Sequence, residues 1–416
     1  MTVTERFLNY ITYDTQSDAS APRSQIPSTS KQKILGDALA KEMQSIGIQD
    51  AFMTETGYVY GHIPASPGCE SAPCLALLSH MDTATDMSGA NVKARIIKHY
   101  DGSDIRLSGP DIPDPSAIYT TVEQFPLLKN YTGQDLIVTD GTTLLGADNK
   151  AGIAEILTLA EFLMNRMDFP HPPISICFTP DEEIGRSADH IDLDILHASY
   201  GYTVDGGAVG DIQYENFNAA SAFVTIHGIT AHTGYAKGIL KNSALIAVEF
   251  QTMLPCKETP AFTEGREGFY HLNSISGSSE KTTLEYLIRD HSMELFQAKK
   301  QTLLSIAESL NQKYGAGTVD VQISDTYYNM IEKIMPYPEL ISLAEQAMIQ
   351  TGVQPVSEPI RGGTDGCRLS YMGLPCPNLC TGGQLGHGRH ELISVQSMET
   401  VVEILKNLVK LFAEKA

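Results

Sequence analysis

The chain has 416 residues, 42% of them hydrophobic, which is more than one ordinary core needs and makes two domains the expectation. Its 29 Lys and Arg stand against 50 Asp and Glu, a formal net charge of -21 that repels nucleic acid and anionic membrane and argues against both as partners. The opening segment MTVTERFLNYITYDTQSD carries charges where a signal peptide has an apolar core, no run of about 18 apolar residues follows, and the seven cysteines are an odd, scattered set, so a cytoplasmic protein with reduced thiols is expected.

In chain order, ILGDALAKEMQSIGI places Leu35, Leu39, Met43 and Ile46 on one stripe and predicts a helix, and PCLALLSHMD follows as a short buried strand. LSGPDIPDPSAIY, at 107 to 119, is rich in Pro and Asp and predicts an irregular loop. KAGIAEILTLAEFLM predicts a second helix through Ile153, Ile156, Leu157, Ala160 and Leu163, and ISICFT and YTVDGG two more short strands. This alternation is the grammar of an α/β domain, a mixed sheet flanked by helices. After about residue 215 the texture changes to longer strands, SAFVTIHGI and TLEYLIRDH, around the helices NSALIAVEFQTML and SMELFQAKKQTLLSIAESLNQKY. The boundaries expected are therefore a first domain over 1–215 and 327–416, interrupted by an inserted α+β domain over 216–326. The returning part holds PELISLAEQAMIQ, Gly-rich strand ends and a closing amphipathic helix, METVVEILKNLVKLFAE.

TPDEEIG sets Asp181, Glu182 and Glu183 side by side directly after an apolar strand. Alone, the triplet reads as a solvated loop. Four other stretches, however, put metal-ligand residue types where strands end: SHMDT (His80, Asp82), GADNKAG (Asp148), TVDGG (Asp205) and GHGRHE (His387, His390). In open α/β sheets such residues converge beyond the carboxyl ends of the strands. Each has an ordinary reading of its own: His80 a structural histidine, Asp148 a helix cap, Asp205 a turn residue. Together, two histidines and three or four carboxylates are a ligand set for two divalent metals sharing one carboxylate. Of two adjacent carboxylates, one can then bind metal while the other stays free to move a proton.

SHMDT, GADNKAGIAEIL, FTPDEEIG, YTVDGG, RGGTDG and HGRHE, in that order, resemble the motifs of the dinuclear zinc peptidases and deacylases, the family of carboxypeptidase G and acetylornithine deacetylase. The likeness runs end to end and is strongest to the family's tripeptide aminopeptidases, through ERFLNYITYDTQS, EGFYHLNSISG and PIRGGTDGCRLSYMGLPCPNLCTGG. The resemblance implies two zinc ions, with Co2+ or Mn2+ as alternatives, bridged by Asp148. One ion would also take His80 and Asp205, the other Glu183 and His387. It implies Glu182 as general base in attack by a metal-bound hydroxide, Asp82 as orienter of His80, and Asp181 as a flanking charge. It further implies that the inserted domain is a lid or dimerisation domain and that His232, in GITAHTGYAKG, donates a hydrogen bond to the oxyanion, in several relatives from a partner subunit of a homodimer. Arg289 and Arg361 are the candidates for binding a small peptide's terminal carboxylate, since a guanidinium fork matches a carboxylate in two places. The chain departs from the family pattern at Asn149, where a second Asp is usual, at Thr233, where Pro is common, and around the last ligand, where His387 competes with His390. The rival readings are a deacylase or dipeptidase on the same scaffold and, more remotely, a non-catalytic metal-binding relative.

Overall fold

The computed structural model describes residues 1–108 and 117–415, so most of the loop expected at 107–119 lies outside the described residues. The chain forms two compact units, one of Met1–Tyr214, Lys333–Ser357 and Thr364–Ala416, the other of Glu215–Glu332 and Glu358–Gly363. The short return at 358–363 is the feature that texture does not mark: it contains no helix or strand.

The first unit is built on a seven-stranded sheet in the order Phe52–Met53, Val59–Ile63, Ile174–Thr179, Leu75–His80, Tyr200–Gly206, Asn378–Cys380, Ile212–Gln213. The four strands from Ile174–Thr179 to Asn378–Cys380 run parallel, and the outer pairs are antiparallel, which makes the sheet mixed. Every residue of Leu75–His80 and of Ile174–Thr179 is buried, as a strand covered on both faces requires. That is why these segments read as unbroken apolar runs. The helices Val3–Tyr10, Ala147–Asn165, Pro338–Gln350 and Val395–Glu414 supply much of the apolar cover, including Phe7, Ile156, Leu343 and Leu405. Gly152 lets the second of these approach the sheet: a Cβ there would lie 2.1 Å from the Val204 carbonyl oxygen.

Register then positions the chemistry. His80 pairs with Thr179 across the parallel ladder, so both strands end level and release residues 80–82 and 180–183 at the same edge, with Asp205 at the end of the next strand. A four-stranded sheet, Gly383–Gln384, Leu392–Ser394, Leu136–Val138, Arg95–Ile97, carries the loops that lead into Asp148 and through His387.

The second unit is an antiparallel sheet, Phe269–Gly277, Lys281–Asp290, Asn218–His227, Val319–Tyr327. The helices Ser243–Met253 and Met293–Tyr314 bury Ile246, Phe250, Phe296 and Leu303 in its core. No helix among the described residues is long and apolar enough to cross a membrane.

Candidate metal centre

The parallel strand ends gather two triads that share one residue. In the first, His80 Nε2 lies 3.0 Å from Asp148 Oδ1 and 3.3 Å from Asp205 Oδ1. In the second, His387 Nε2 lies 3.3 Å from Asp148 Oδ2 and 3.0 Å from Glu183 Oε2. Within each triad the three facing atoms lie within 4.8 Å of one another. Asp148 therefore presents one oxygen to each side. It can do so because its φ/ψ of -85°/103° is not helical, so its carboxylate stands clear of the helix that follows.

The residues fit a pair of divalent cations. Three carboxylates converge on two imidazoles at a half-buried site, and Glu183 Oε1 is itself buried with no hydrogen-bond partner, a donor set that suits metal ions. Electrostatics follow the same deficit of positive charge. Burial pushes the Glu182 carboxyl well above the usual range and Glu183 up to about 7, and burial also raises Asp205. Burial acts against the charged form of Asp148 too, yet the hydrogen bonds from His387 and His80 hold it well below the ordinary carboxylate value. Hydrogen bonds to Asp148 and Glu183 lift His387 to about 11. At His80 burial opposes the charge, but Asp205 and the Asp148 bond outweigh it and raise the imidazole.

Supporting bonds fix each strand end. His80 Nδ1 lies 3.1 Å from the Asp82 carbonyl oxygen and 3.4 Å from Asp82 Oδ1. The fully buried Asp82 carboxylate instead accepts the Glu182 N–H at 3.0 Å and the Glu183 N–H at 3.2 Å. So Asp82 meets His80 chiefly at its backbone carbonyl and bonds the acidic turn through its side chain. At Asp181 the triplet is no solvated loop: the residue is 2% exposed, stands outside both triads, and its carboxylate accepts bonds from Ser28 and Gln32.

Two buried carboxylates support the site: Glu391, which in sequence serves only as the acidic residue that favours His387 over His390, and Asp365, to which the sequence assigns no role. Glu391, 1% exposed, accepts the N–H groups of Leu145, Gly146 and Asp148 at 2.6, 2.8 and 3.0 Å and holds the loop that delivers the shared carboxylate. Its signal is its place directly after the histidine pair of GHGRHE. Asp365, at the start of the helix Asp365–Met372, accepts from the Ser187 hydroxyl and from Thr179 Oγ1, and burial pushes it up to about 6. Its signal is the motif RGGTDG.

The two late histidines part company. His390 Nδ1 lies 2.9 Å from Thr120 Oγ1 and its ring packs on Phe125, away from both triads. Asn149 spends its Nδ2 on the Val204 carbonyl at 2.9 Å and is fully buried, so it serves the helix–sheet contact.

His232, Arg289 and Arg361 belong to the second unit. His232 is exposed and caps the turn Thr233–Tyr235; its Nδ1 accepts the Gly234 N–H at 3.2 Å, which leaves Nε2 as the protonated nitrogen of the neutral ring. Arg289 Nη1 donates to the Ala220 and Ile288 carbonyls, and the guanidinium lies over Tyr327. Arg361 donates to the Gly265 and Glu267 carbonyls and to Thr263, and stacks on Phe217. Neither forms an ion pair among the described residues.

A cavity of about 350 Å³ adjoins the shared carboxylate, lined among others by Asp148, Asp205, Asp211, Gln384 and Glu391. Its lining holds four carboxylates and no Lys or Arg, a cation-accepting surface.

The model of the peptidase family M20/M25/M40 matches residues 146–411. Peptidase T of Clostridium perfringens (strain 13 / Type A) is 50% identical over 414 residues, 99% of each chain, and peptidase T of Desulfitobacterium hafniense (strain Y51) is 49% identical over 413 residues, 99% of this chain and 98% of that one. Among solved structures, aminopeptidase PepT of Bacillus cereus ATCC 10987 superposes with a TM-score of 0.76 at 21% identity, covering 99% of this chain and 98% of that one. A dinuclear metal-binding peptidase of the M20 family from Bacillus subtilis gives 0.66 at 14% identity, covering 100% and 99%. These two establish the likeness of fold.

Proposed function

The chain belongs to the peptidase family M20/M25/M40, and from that premise we propose that it is a metal-dependent aminopeptidase that removes the first residue from tripeptides. The observation that carries the substrate class is identity of 50% over 99% of both chains to peptidase T.

His80, Asp148 and Asp205 would hold one divalent cation, and Asp148, Glu183 and His387 the other, with zinc first among the metals that suit imidazole and carboxylate ligands. Bound there, the pair would polarise the peptide carbonyl and acidify a water. Every other task falls to side chains. Glu182, adjacent to a ligand and outside both triads, takes a proton from the attacking water and returns it to the departing amine nitrogen. The carboxylate of Asp82 keeps Glu182 and Glu183 at their stations through their N–H groups. His232, with Nε2 protonated, donates to the oxyanion. Arg289 commits only Nη1 to hydrogen bonds, whereas Arg361 commits both Nη1 and Nη2, so Arg289 is the better clamp for the substrate's carboxylate.

The second unit is also the dimerisation element of this reading. Leu245 and Val248 are 67% and 54% exposed on the helix Ser243–Met253, and Ile275 is 50% exposed on the edge strand Phe269–Gly277. Exposed apolar side chains on a helix, and an open strand edge in the same unit, suit a second copy of the chain. Seven free thiols suit the cytoplasm.

The test is hydrolysis by zinc-loaded protein of one unblocked tripeptide beside its N-acetylated form and the matching dipeptide and tetrapeptide. Release of the first residue from the free tripeptide alone is expected. Cleavage of the acetylated compound or of the dipeptide in its place would make the protein a deacylase or dipeptidase and discard the substrate assignment.

A further inference from the structure

The turn that carries Glu182 and Glu183 has to send two adjacent carboxylates to different partners. Residues 182–184 form a single 3-10 turn, in which successive side chains point about 120° apart. Their common heading is therefore set by the residue that introduces the turn. That residue is Asp181, at φ 60° and ψ 28°, a left-handed conformation that L-residues avoid and that Asp and Asn tolerate best after Gly. The turn closes on it: the Gly185 N–H donates to the Glu182 carbonyl at 2.7 Å and the Arg186 N–H to the Asp181 carbonyl at 3.0 Å.

Asp181 is anchored to a part of the chain remote from both triads. Its Oδ2 accepts the Ser28 N–H at 2.6 Å, and its Oδ1 accepts the Ser28 hydroxyl at 2.5 Å and Gln32 Nε2 at 2.7 Å. Gln32 clasps the residue a second time, its Oε1 accepting the Asp181 N–H at 3.2 Å. Ser28 and Gln32 are both essentially buried, and Gln32 opens the helix Gln32–Ser45. Three donors converge on one carboxylate, so Gly or Asn would suit the backbone but only Asp satisfies the donors. With Asp82 holding the N–H groups of the next two residues, the turn is fixed from both sides.

We propose that Asp181 is a positioning residue for hydrolysis: clasped by Ser28 and Gln32, it fixes the turn that points Glu182 at the reacting water and Glu183 at the metal site. This rests on the reading of Glu182 as general base.

A polarity swap tests it. In Asp181→Asn the new amide nitrogen meets Gln32 Nε2, donor against donor. In Asp181→Asn combined with Gln32→Glu, that nitrogen donates to the new carboxylate and to the Ser28 oxygen. The amide oxygen introduced at position 181 takes the Ser28 N–H, and the carboxylate introduced at position 32 still accepts the backbone N–H of residue 181. The single variant is expected to lose at least about tenfold in kcat, the scale of a small misplacement, with KM within about threefold of wild type and metal content unchanged. The double variant is expected to recover to within about threefold of wild type on the same scale. Amide exchange of the 179–187 peptide, read without substrate, should quicken in the single variant and return in the double. An unchanged kcat in Asp181→Asn, or a loss that Gln32→Glu does not restore, overturns the proposal. Should the single variant not fold, Ser28→Ala, which deletes one donor, decides in the same way: a lowered kcat with metals retained supports it and an unchanged kcat overturns it. Glu182→Ala is the control. If it stays active, the base assignment itself fails; if it is inactive while Asp181→Asn is unaffected, only the role of Asp181 falls.

Discussion

Replacing Asp82 by Asn isolates what its side chain does. The carboxylate is fully buried and accepts two backbone N–H groups, Glu182 on Oδ1 and Glu183 on Oδ2, with His80 Nδ1 3.4 Å from Oδ1. The amide keeps one acceptor. Whichever way it is turned, one N–H loses its acceptor and faces the new NH2 group as an unpaired buried donor. The cost is about 1–3 kcal/mol, a factor of roughly 5–160 in an equilibrium constant. Because the loss falls on the backbone of the turn, kcat should drop about 100-fold while KM for the tripeptide stays nearly constant. The assay is steady-state hydrolysis beside thermal unfolding of the metal-loaded protein. If Asp82→Asn unfolded as wild type does and retained its kcat, the side chain's hold on the turn would be wrong; if it lost only the metal of the His80 triad, orientation of His80 would be the main role of the carboxylate.

Three further outcomes follow from the same structure. Glu182→Ala should keep its full metal content by elemental analysis and lose about 100- to 10,000-fold in kcat, since it removes proton transfer and no ligand; loss of metal would reverse the roles of Glu182 and Glu183. Glu155 is fully buried with both oxygens unpartnered, and burial raises its pKa well above the ordinary value. The folded state therefore binds a proton that the unfolded chain releases, so its stability is complete below about pH 4.5 and falls by roughly 1.4 kcal/mol per unit as pH rises towards the folded pKa. Glu155→Gln should flatten unfolding free energies measured as pH rises above about 4.5, and an unaltered slope would show that Glu155 is already ionised. Leu245→Glu combined with Val248→Asp should convert a dimer to monomers in sedimentation without unfolding them, and an unchanged sedimentation coefficient would remove this helix from the interface.

The parts of the fold legible in sequence are those where one force dominates. Parallel strands covered on both faces leave unbroken apolar runs, and Leu75–His80 and Ile174–Thr179 read directly. Strands at sheet edges do not: Phe269–Gly277 exposes most of its residues, so burial imprints little alternation on it. The helix Val3–Tyr10 is obscured because Arg6 is buried within it, neutralised by Glu42 at 2.7 Å and Glu161 at 2.8 Å, partners that only the fold brings close. The segment at 358–363 joins the second unit through such contacts as Arg361 with Thr263, which composition does not encode.

At the site, the convergence of His80, Asp148, Glu183, Asp205 and His387 was legible because His and carboxylates stand together at strand ends. Supporting residues were not, since a buried Asp that accepts backbone N–H groups looks in sequence like any acidic loop residue. Asp181 and Glu391 are both of that kind, and what distinguishes them is burial and the number of donors that meet them. Arg289 and Arg361 show the converse, exposed-looking cations whose bonds run largely to main-chain carbonyls.

The central claim is that Asp148 serves two metal ions at once, one oxygen towards His80 and the other towards His387. Elemental analysis of zinc-loaded, gel-filtered protein, wild type beside Asp148→Ala, tests it most directly. Two ions per wild-type chain and loss of both in the variant are the predicted result. A variant that kept both ions, or a wild type that bound only one, would contradict the shared carboxylate and the dinuclear chemistry built on it.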